Sequence, residues 1–246
     1  LNIAVSSCCN PDLALEDLLT AYSGIGFHRL ELFTSWTKSA LDYKADFRKY
    51  LDIFAKYKMQ LISLHLPAVP DVSDASIDEA VIAAHFAVEM GASVVVFKAK
   101  SRELYIKTAR IFLDRVEGLP VTTVLQNHAR SPISTLHDVK TVKEGIADPR
   151  MKSLLEVGHF HSVGVSWQEA CSLLGNSIAL VHIKDQMREQ SVPFGNGEID
   201  LSGLFGHLRA VGYQGDIVVE MEVADRENTL NYLRDAKQYM LRGISQ

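Results

Sequence analysis

Short runs of β-branched and apolar residues alternate, from one end of the chain to the other, with longer stretches whose apolar residues recur at helical spacing. The runs that read as strands are NIAVS (2–6), RLELF (29–33), LISLHL (61–66), SVVVFKA (93–99), TTVLQN (122–127), SLLEV (153–157), ALVHIKD (179–185) and DIVVEME (216–222). Helical period shows in LALEDLLTAY after the start signal Asn10-Pro11-Asp12, and in IDEAVIAAHFAVEMG, which closes on Gly91. RELYIKTARIFLDRVEG ends on Gly118, SWQEACSLLG runs from a serine to Gly175, and a last helix near RENTLNYLRDAKQYMLRG finishes on Gly243.

These make eight strand–helix units at a spacing of roughly 30 residues, the length of a βα repeat. Continuous apolar strands belong to parallel sheets covered on both faces. The pattern predicts an α/β protein of the (β/α)8 TIM-barrel class, a single domain over residues 1–246. A doubly wound sheet is the rival, but SSCCNPD follows the first strand where a G-x-G-x-x-G would be needed. No Pro/Gly-rich linker divides the chain.

In such barrels the chemistry sits at the carboxyl ends of the strands. Those ends carry Glu31, His65, Lys98, Gln126 with His128, Glu156 with His159, His182 with Lys184 and Asp185, and Glu220 with Glu222. Ending an apolar strand in an ionisable group is costly unless the groups converge on one solvated pocket and share a cation. Alternation decides which do: if Val218 points inward so do Glu220 and Glu222, and Leu180, His182 and Lys184 share a face. Glu156, His182 and Glu220 become neighbours across the mouth. Two carboxylates and an imidazole suit Mn²⁺, Co²⁺, Zn²⁺ or Fe²⁺ better than Mg²⁺.

Plainer roles fall to the other groups. His85, His137 and His207 lie in helical patterns and read as surface or packing residues; His161 is out of phase with Glu156 and reads as structural or supporting. Glu31 has an ordinary partner within reach in Arg29.

Composition changes the picture little. Hydrophobic residues make up 47% and charged ones 22%, and the formal charge of −5 argues against a nucleic-acid or anionic-membrane surface. Cys8, Cys9 and Cys171 give no disulfide framework and point to a reducing compartment. The chain opens on Leu1 rather than Met; LNIAVSSCC has no basic segment or long apolar core like a signal peptide, and no run has the length of a membrane span. A cytoplasmic enzyme is the expectation. Whether it pairs with a second copy is open.

From HIKDQMR (182–188) through FGNGEIDLSGLFGHLRAVGYQGDIVVEME (194–222) the chain resembles the xylose isomerase-like barrels, which include sugar isomerases and epimerases, inosose dehydratases and endonuclease IV. The shared block reads H-x-K-D, then G-x-G-x-I-D, then G-Y-x-G, then an apolar strand ending in Glu. EVGH resembles the family's D-x-G-H after the sixth strand, and QNHARSP its E-N-H segment after the fifth. The resemblance implies metal ligands at Glu156, His182 and Glu220, a substrate contact at His159, a substrate-binding Arg188, and a role for His65 like that of a third-strand histidine in endonuclease IV. Gln126 departs from it, because the epimerases have a glutamate there that binds metal and exchanges a proton with carbon. A neutral amide can offer a carbonyl oxygen to a metal but cannot be a base near neutral pH.

The resulting expectation is a metal-assisted isomerase or epimerase acting on a small sugar, keto-sugar or cyclic polyol. Glu156, His182, Glu220 and Gln126 hold the divalent cation, and Glu220, His159 and Lys98 are catalytic. His65, Lys184, Arg188 and Glu31 contact substrate. The alternatives are an inosose-dehydratase-like lyase and a metal-free, non-catalytic sugar-binding barrel, since Gln126 and Lys98 both remove negative charge from the mouth. An endonuclease IV-like activity is disfavoured: Lys98 stands where that enzyme needs a metal-binding histidine, and the acidic balance lacks a phosphate-binding stripe.

Overall fold

The structure, a computed structural model, describes residues 1–245. Eight parallel strands close into a barrel: β1 (Asn2–Ser6), β2 (Arg29–Phe33), β3 (Gln60–His65), β4 (Val94–Val96), β5 (Thr122–Gln126), β6 (Met151–Glu156), β7 (Ile178–Ile183) and, after a hairpin of β8 (Asp185–Met187) and β9 (Gln190–Val192), β10 (Asp216–Val219). β10 lies between β7 and β1 and completes the ring. Around it run α1 (Leu15–Ile25), α2 (Arg48–Lys56), α3 (Asp74–Glu89), α4 (Arg102–Arg115), α5 (Leu136–Ile146), the short α6 (Val157–His161), α7 (Trp167–Leu174), α8 (Leu201–Ala210) and α9 (Thr229–Ser245). Among the described residues no helix is long and apolar enough to cross a membrane.

Two separate apolar clusters result from the strand period of two. One residue set faces the helices; the other, Ala4, Ile62, Val94, Val96, Val124, Leu154, Leu180 and Val218, fills the barrel interior. Two positions further along their chains come Lys98, Gln126, Glu156, His182 and Glu220, so the apolar plug dictates which polar residues face inward above it. Several regular strands stop earlier than the apolar runs in the sequence suggest. Lys98, Lys184, Glu220 and Glu222 lie just past them, where the backbone begins to turn out.

Strict alternation fails in two strands. In β7, Ser153 of β6 is opposite Ile178 but Leu154 is opposite Leu180, leaving Ala179 extra, and a second break, in β3, bears on the site. Leu30 of β2 is opposite Leu61, but Glu31 is opposite Ser63, leaving Ile62 as an extra residue in β3. Counting by twos from Ile62 would send Leu64 inward and His65 out. The bulge reverses this: Leu64 packs with the helices, while Ser63 and His65 turn to Glu31.

The conserved-looking spacing in the last third of the chain has a mechanical explanation. Asp185 is buried, and its carboxylate accepts the backbone N–H groups of Gln186 (3.0 Å), Gly195 (2.8 Å) and Gly197 (2.9 Å). A Cβ at Gly197 would overlap that carboxylate, so the G-x-G segment is a cradle for it. Asp200 then caps α8 by accepting from Gly203 N–H at 2.8 Å. Gly212 takes φ +71° after the helix, and the Tyr213 hydroxyl donates to the Asp216 carbonyl at 2.9 Å, setting the entry of β10. The block therefore carries the chain from His182 to Glu220 along a pinned path.

Asp185→Ala leaves three buried or half-buried N–H groups without their acceptor. We expect a loss of about 2–4 kcal/mol in urea unfolding. A loss below about 0.5 kcal/mol would show that the loop is not held by this carboxylate.

Candidate active site

His182 is fully buried at the end of β7 and has carboxylates on both sides. Its Nε2 lies 2.8 Å from Glu31 Oε2, and a carboxylate can only accept, so Nε2 carries a proton. Ser63 Oγ donates to the same oxygen at 2.7 Å, and His65 Nε2 stands 3.2 Å from Oε1. Burial alone would raise the Glu31 pKa, but the charges and hydrogen bonds of His182 and His65 hold it far below the usual carboxylate range. Arg29, the ordinary partner suggested by the sequence, is bound to Asp216 instead at 2.5 and 2.8 Å.

On the other side, His182 Nδ1 faces Glu220 Oε1 at 3.1 Å and Glu156 Oε2 at 3.4 Å. Neither Nδ1 nor Glu156 Oε2 makes a hydrogen bond. Their ligand atoms and that of Glu220 all lie within 4.8 Å of one another. With Nε2 on Glu31, Nδ1 faces two carboxylate oxygens, an arrangement that either a proton on Nδ1 or a cation held between them satisfies. Two carboxylates and one imidazole nitrogen fit a divalent transition ion.

The backbone around these ligands is held by groups that the sequence reading passed over. Asn127 uses both ends of its amide on Glu156: Nδ2 donates to the carbonyl and Oδ1 accepts from the N–H, each at 2.9 Å. Glu156 Oε1 accepts from Gly158 N–H at 3.0 Å, which starts α6. Glu220 donates its N–H to the Ile183 carbonyl at 2.9 Å, and Cys9 Sγ accepts from the next N–H, of Met221, at 3.1 Å. Asn127 was visible in QNHARSP and Cys9 in SSCC; what neither string reveals is which backbone it meets.

Lys184 is also fully buried. Its Nζ lies 3.0 Å from Glu220 Oε2, 3.0 Å from Glu222 Oε2 and 3.9 Å from Glu156 Oε2. Burial opposes its charge, but the three carboxylates outweigh that and raise its pKa well above normal. Its stem occupies the space over Gly158, where a Cβ would overlap Cγ and Cδ. Glu220, despite burial, is held well below the usual range by Lys184 and His182. Glu156 goes the other way: burial first, with the Glu220 charge adding, raises it to about 7 against the pull of Lys184.

A cavity of about 120 Å³ opens directly over Glu220, walled by Cys8, Phe33, Trp36, His65, Lys98 and Gln126 and by the His128–His159 pair. It shares walls with a cleft of about 420 Å³ under the β8–β9 hairpin and with a second of about 270 Å³ beside Cys8 and Trp36. His128 and His159 have ring centroids 3.7 Å apart. Burial, then Lys184, pushes His159 down to about 2, so it is a neutral imidazole with Nε2 3.5 Å from Lys184 Nζ. Trp36 is 57% exposed at φ +62°, a backbone region costly for a bulky residue, and its ring meets Phe33 edge-on at 4.9 Å.

The structure thus brings Lys98, His65, Gln126, His159 and Glu220 to one cavity, with Lys184 in the adjoining cleft. Glu31 lies behind the ligands rather than on a cavity wall. Arg188 is exposed at the hairpin turn with φ +57°, its N–H bonded to Glu198, and it lines neither cleft. Arg130, not singled out in the sequence, does line the larger cleft, paired with Glu189 at 3.1 Å. His161 pairs with Glu198 at 3.4 Å, and the His207 ring lies tilted against Trp167, centroids 5.6 Å apart.

A parallel barrel with a carboxylate–imidazole cluster at the carboxyl ends of its strands defines the class: a (β/α)8 protein with its chemistry at the mouth. The chain belongs to the xylose isomerase-like TIM barrel family, whose model matches residues 19–242. Among curated proteins it is similar to an inosose dehydratase of Geobacillus thermodenitrificans, 28% identical over 166 residues, which cover 59% of this chain and 55% of that protein. The chain therefore spans about half the length of that relative. Among solved structures, an IolI protein with a bound zinc atom superposes with a TM-score of 0.78 at 15% identity, covering 100% of this chain and 98% of the other. A D-allulose 3-epimerase from Methylomonas sp. gives 0.78 at 17%, covering 99% and 98%. At such identities the superpositions establish the fold.

Without a cation, His182 is held protonated, because the Glu31 and Glu220 charges outweigh burial, and Glu156 keeps its proton up to about pH 7. A divalent ion held by Glu156, His182 and Glu220 would displace both protons. Affinity should therefore rise with pH, by about tenfold per unit for each proton released, most steeply below pH 7. Titrations of Mn²⁺ between pH 6 and 8, in buffers of different ionisation enthalpy, read this directly. An affinity independent of pH would remove these residues from the ligand set.

Proposed function

We propose that the protein is a metal-assisted isomerase or epimerase of a small sugar, keto-sugar or cyclic polyol. The observation that carries this reading is the convergence of Glu156 Oε2, His182 Nδ1 and Glu220 Oε1, with Nδ1 making no hydrogen bond. Glu156, His182 and Glu220 would hold the ion, and Gln126, which faces the same cavity, can add a neutral oxygen. When bound, a divalent ion supplies Lewis acidity to a carbonyl or neighbouring hydroxyl and makes the adjacent C–H more acidic.

The remaining roles fall to the protein's own groups. Glu220 is kept ionised by Lys184 and His182 and takes the proton from carbon. His159, neutral and beside Lys184, hydrogen-bonds a substrate oxygen and orients it. Lys98 meets the negative charge that develops on the substrate. Phe33 and Trp36 supply an apolar wall. One base that carries a proton between adjacent carbons suffices for isomerisation, so Gln126 is compatible with that reaction and not with an epimerisation that needs a glutamate on each face of the carbon.

A lyase is the second reading. The His159–Lys184 contact at 3.5 Å offers an acid to a departing hydroxyl, and the similar curated protein is a dehydratase.

Elemental analysis of protein purified without chelator or nickel should find Mn, Co, Fe or Zn near one per chain, absent in His182→Ala and Glu220→Gln. In a screen of keto-sugars and inososes, Glu220→Gln should lower turnover by about 10²–10⁴-fold. Gln126→Glu adds a charged ligand and should tighten metal binding about tenfold or more. Wild-type protein that holds no metal and shows no thermal shift with any of these ions would sink the reading and leave a metal-free sugar binder.

A further inference from the structure

The cavity over Glu220 is unevenly charged. The carboxylates that line it, Glu220 and Glu222, follow β10, and Glu156, the last residue of β6, is buried beside His182. The adjacent strands β3, β4 and β5 present His65, Lys98 and Gln126, followed by His128. Among the described residues no carboxylate lines the cavity from that arc. Glu31 stands behind it with its oxygens turned to Ser63, His182 and His65.

Lys98 is the odd member. Lys184 rests on two carboxylates at 3.0 Å, whereas Lys98 Nζ has no carboxylate within 4 Å and no hydrogen bond among the described residues. It stands 5.3 Å from the centroid of the Phe33 ring, with its stem half-buried. Glu31 and Glu220 attract it only from further off, and burial lowers its pKa. An ammonium that faces a cavity with no carboxylate against it is stabilised by an anion bound there. Position 126 agrees with this: a glutamate there, one strand over, would repel an anion that a glutamine accepts.

We propose that the β3–β5 arc is an anion subsite, and that the substrate carries an anionic oxygen group, carboxylate or phosphate, which pairs with Lys98 Nζ over the Phe33 ring while the reacting carbon faces Glu220. This rests on the cavity being the substrate cavity and narrows the class from neutral sugars to acidic or phosphorylated keto-sugars and polyols.

Calorimetric titration tests it with D-fructose, 2-keto-D-gluconate, 5-keto-D-gluconate and D-fructose 6-phosphate, each with and without Mn²⁺. At least one anionic compound should bind wild-type protein tenfold or more tighter than D-fructose, and which one identifies carboxylate or phosphate. Lys98→Met should bring that compound to within threefold of D-fructose, and Lys98→Arg should retain most of the advantage. No anionic preference in the wild type, absence of binding by all four included, overturns the proposal, as does a preference that survives in Lys98→Met. A Lys98-dependent preference that persists without Mn²⁺ in a protein that takes up no metal would support the subsite and fail the metal reading, so the two are separable.

Discussion

A neutral imidazole has one proton to place, and the carboxylate of Glu31 determines where it goes. With Nε2 committed to Glu31 at 2.8 Å, the His182 lone pair must face Glu156 and Glu220. The rest of the site depends on this assignment. Three fully or nearly buried carboxylates, Glu31, Glu156 and Glu220, surround His182, and one buried ammonium, Lys184, pairs with the cluster, so a neutral His182 leaves a deficit of two positive charges. A divalent ion removes that deficit. So do two protons, one on Nδ1 and one on Glu156, which is the direction in which burial and charge move both groups when no ion is present. The same pocket is close to neutral in either state, and it can stay folded in both because exchange of one ion for two protons never leaves an unpaired buried charge.

That economy relies on parts far from the chemistry. Leu154, Leu180 and Val218 set the inward parity, and the ligands follow two residues later. Asn127, Cys9 and Gly158 then fix the backbone of Glu156, the backbone flanking Glu220 and the path of Lys184. The Asp185 clip does the same for the long excursion between β7 and β10. Asn127 and Gly158 bond directly to Glu156, and Cys9 to the residue after Glu220, so a displacement of any of them by an ångström would move a carboxylate of the cluster.

The barrel and the inward-facing polar residues at its mouth were legible in the sequence because both follow from periodicity. Eight apolar runs of strand length closed into the expected ring, and alternation from Val218 and Leu180 placed Glu220 and His182 inward. Contacts between distant segments were not legible. Periodicity gives no sign of the Ile62 bulge, without which His65 would point at the helices, and Glu31 looked like a partner for Arg29 until the fold gave Arg29 to Asp216. Arg188 and Arg130 show the same limit in the loops. The hairpin turn directs the first outward and the loop after β5 brings the second to the cleft, a matter of backbone geometry at two residues with positive φ.

Gln126 and Lys98 are best understood together. Separately, each looks like a defect in a metal-binding mouth: one carboxylate lost, one cation gained. On neighbouring strands they make a continuous arc free of negative charge, facing an arc of β6, β7 and β10 that holds all the metal-directed carboxylates. A mouth divided this way orients a ligand that has an electron-rich end and an acidic C–H, because turning it end for end would set like charges against each other at both walls. The substitution that weakens the second-base chemistry of the family is thereby the one that gives the pocket a direction.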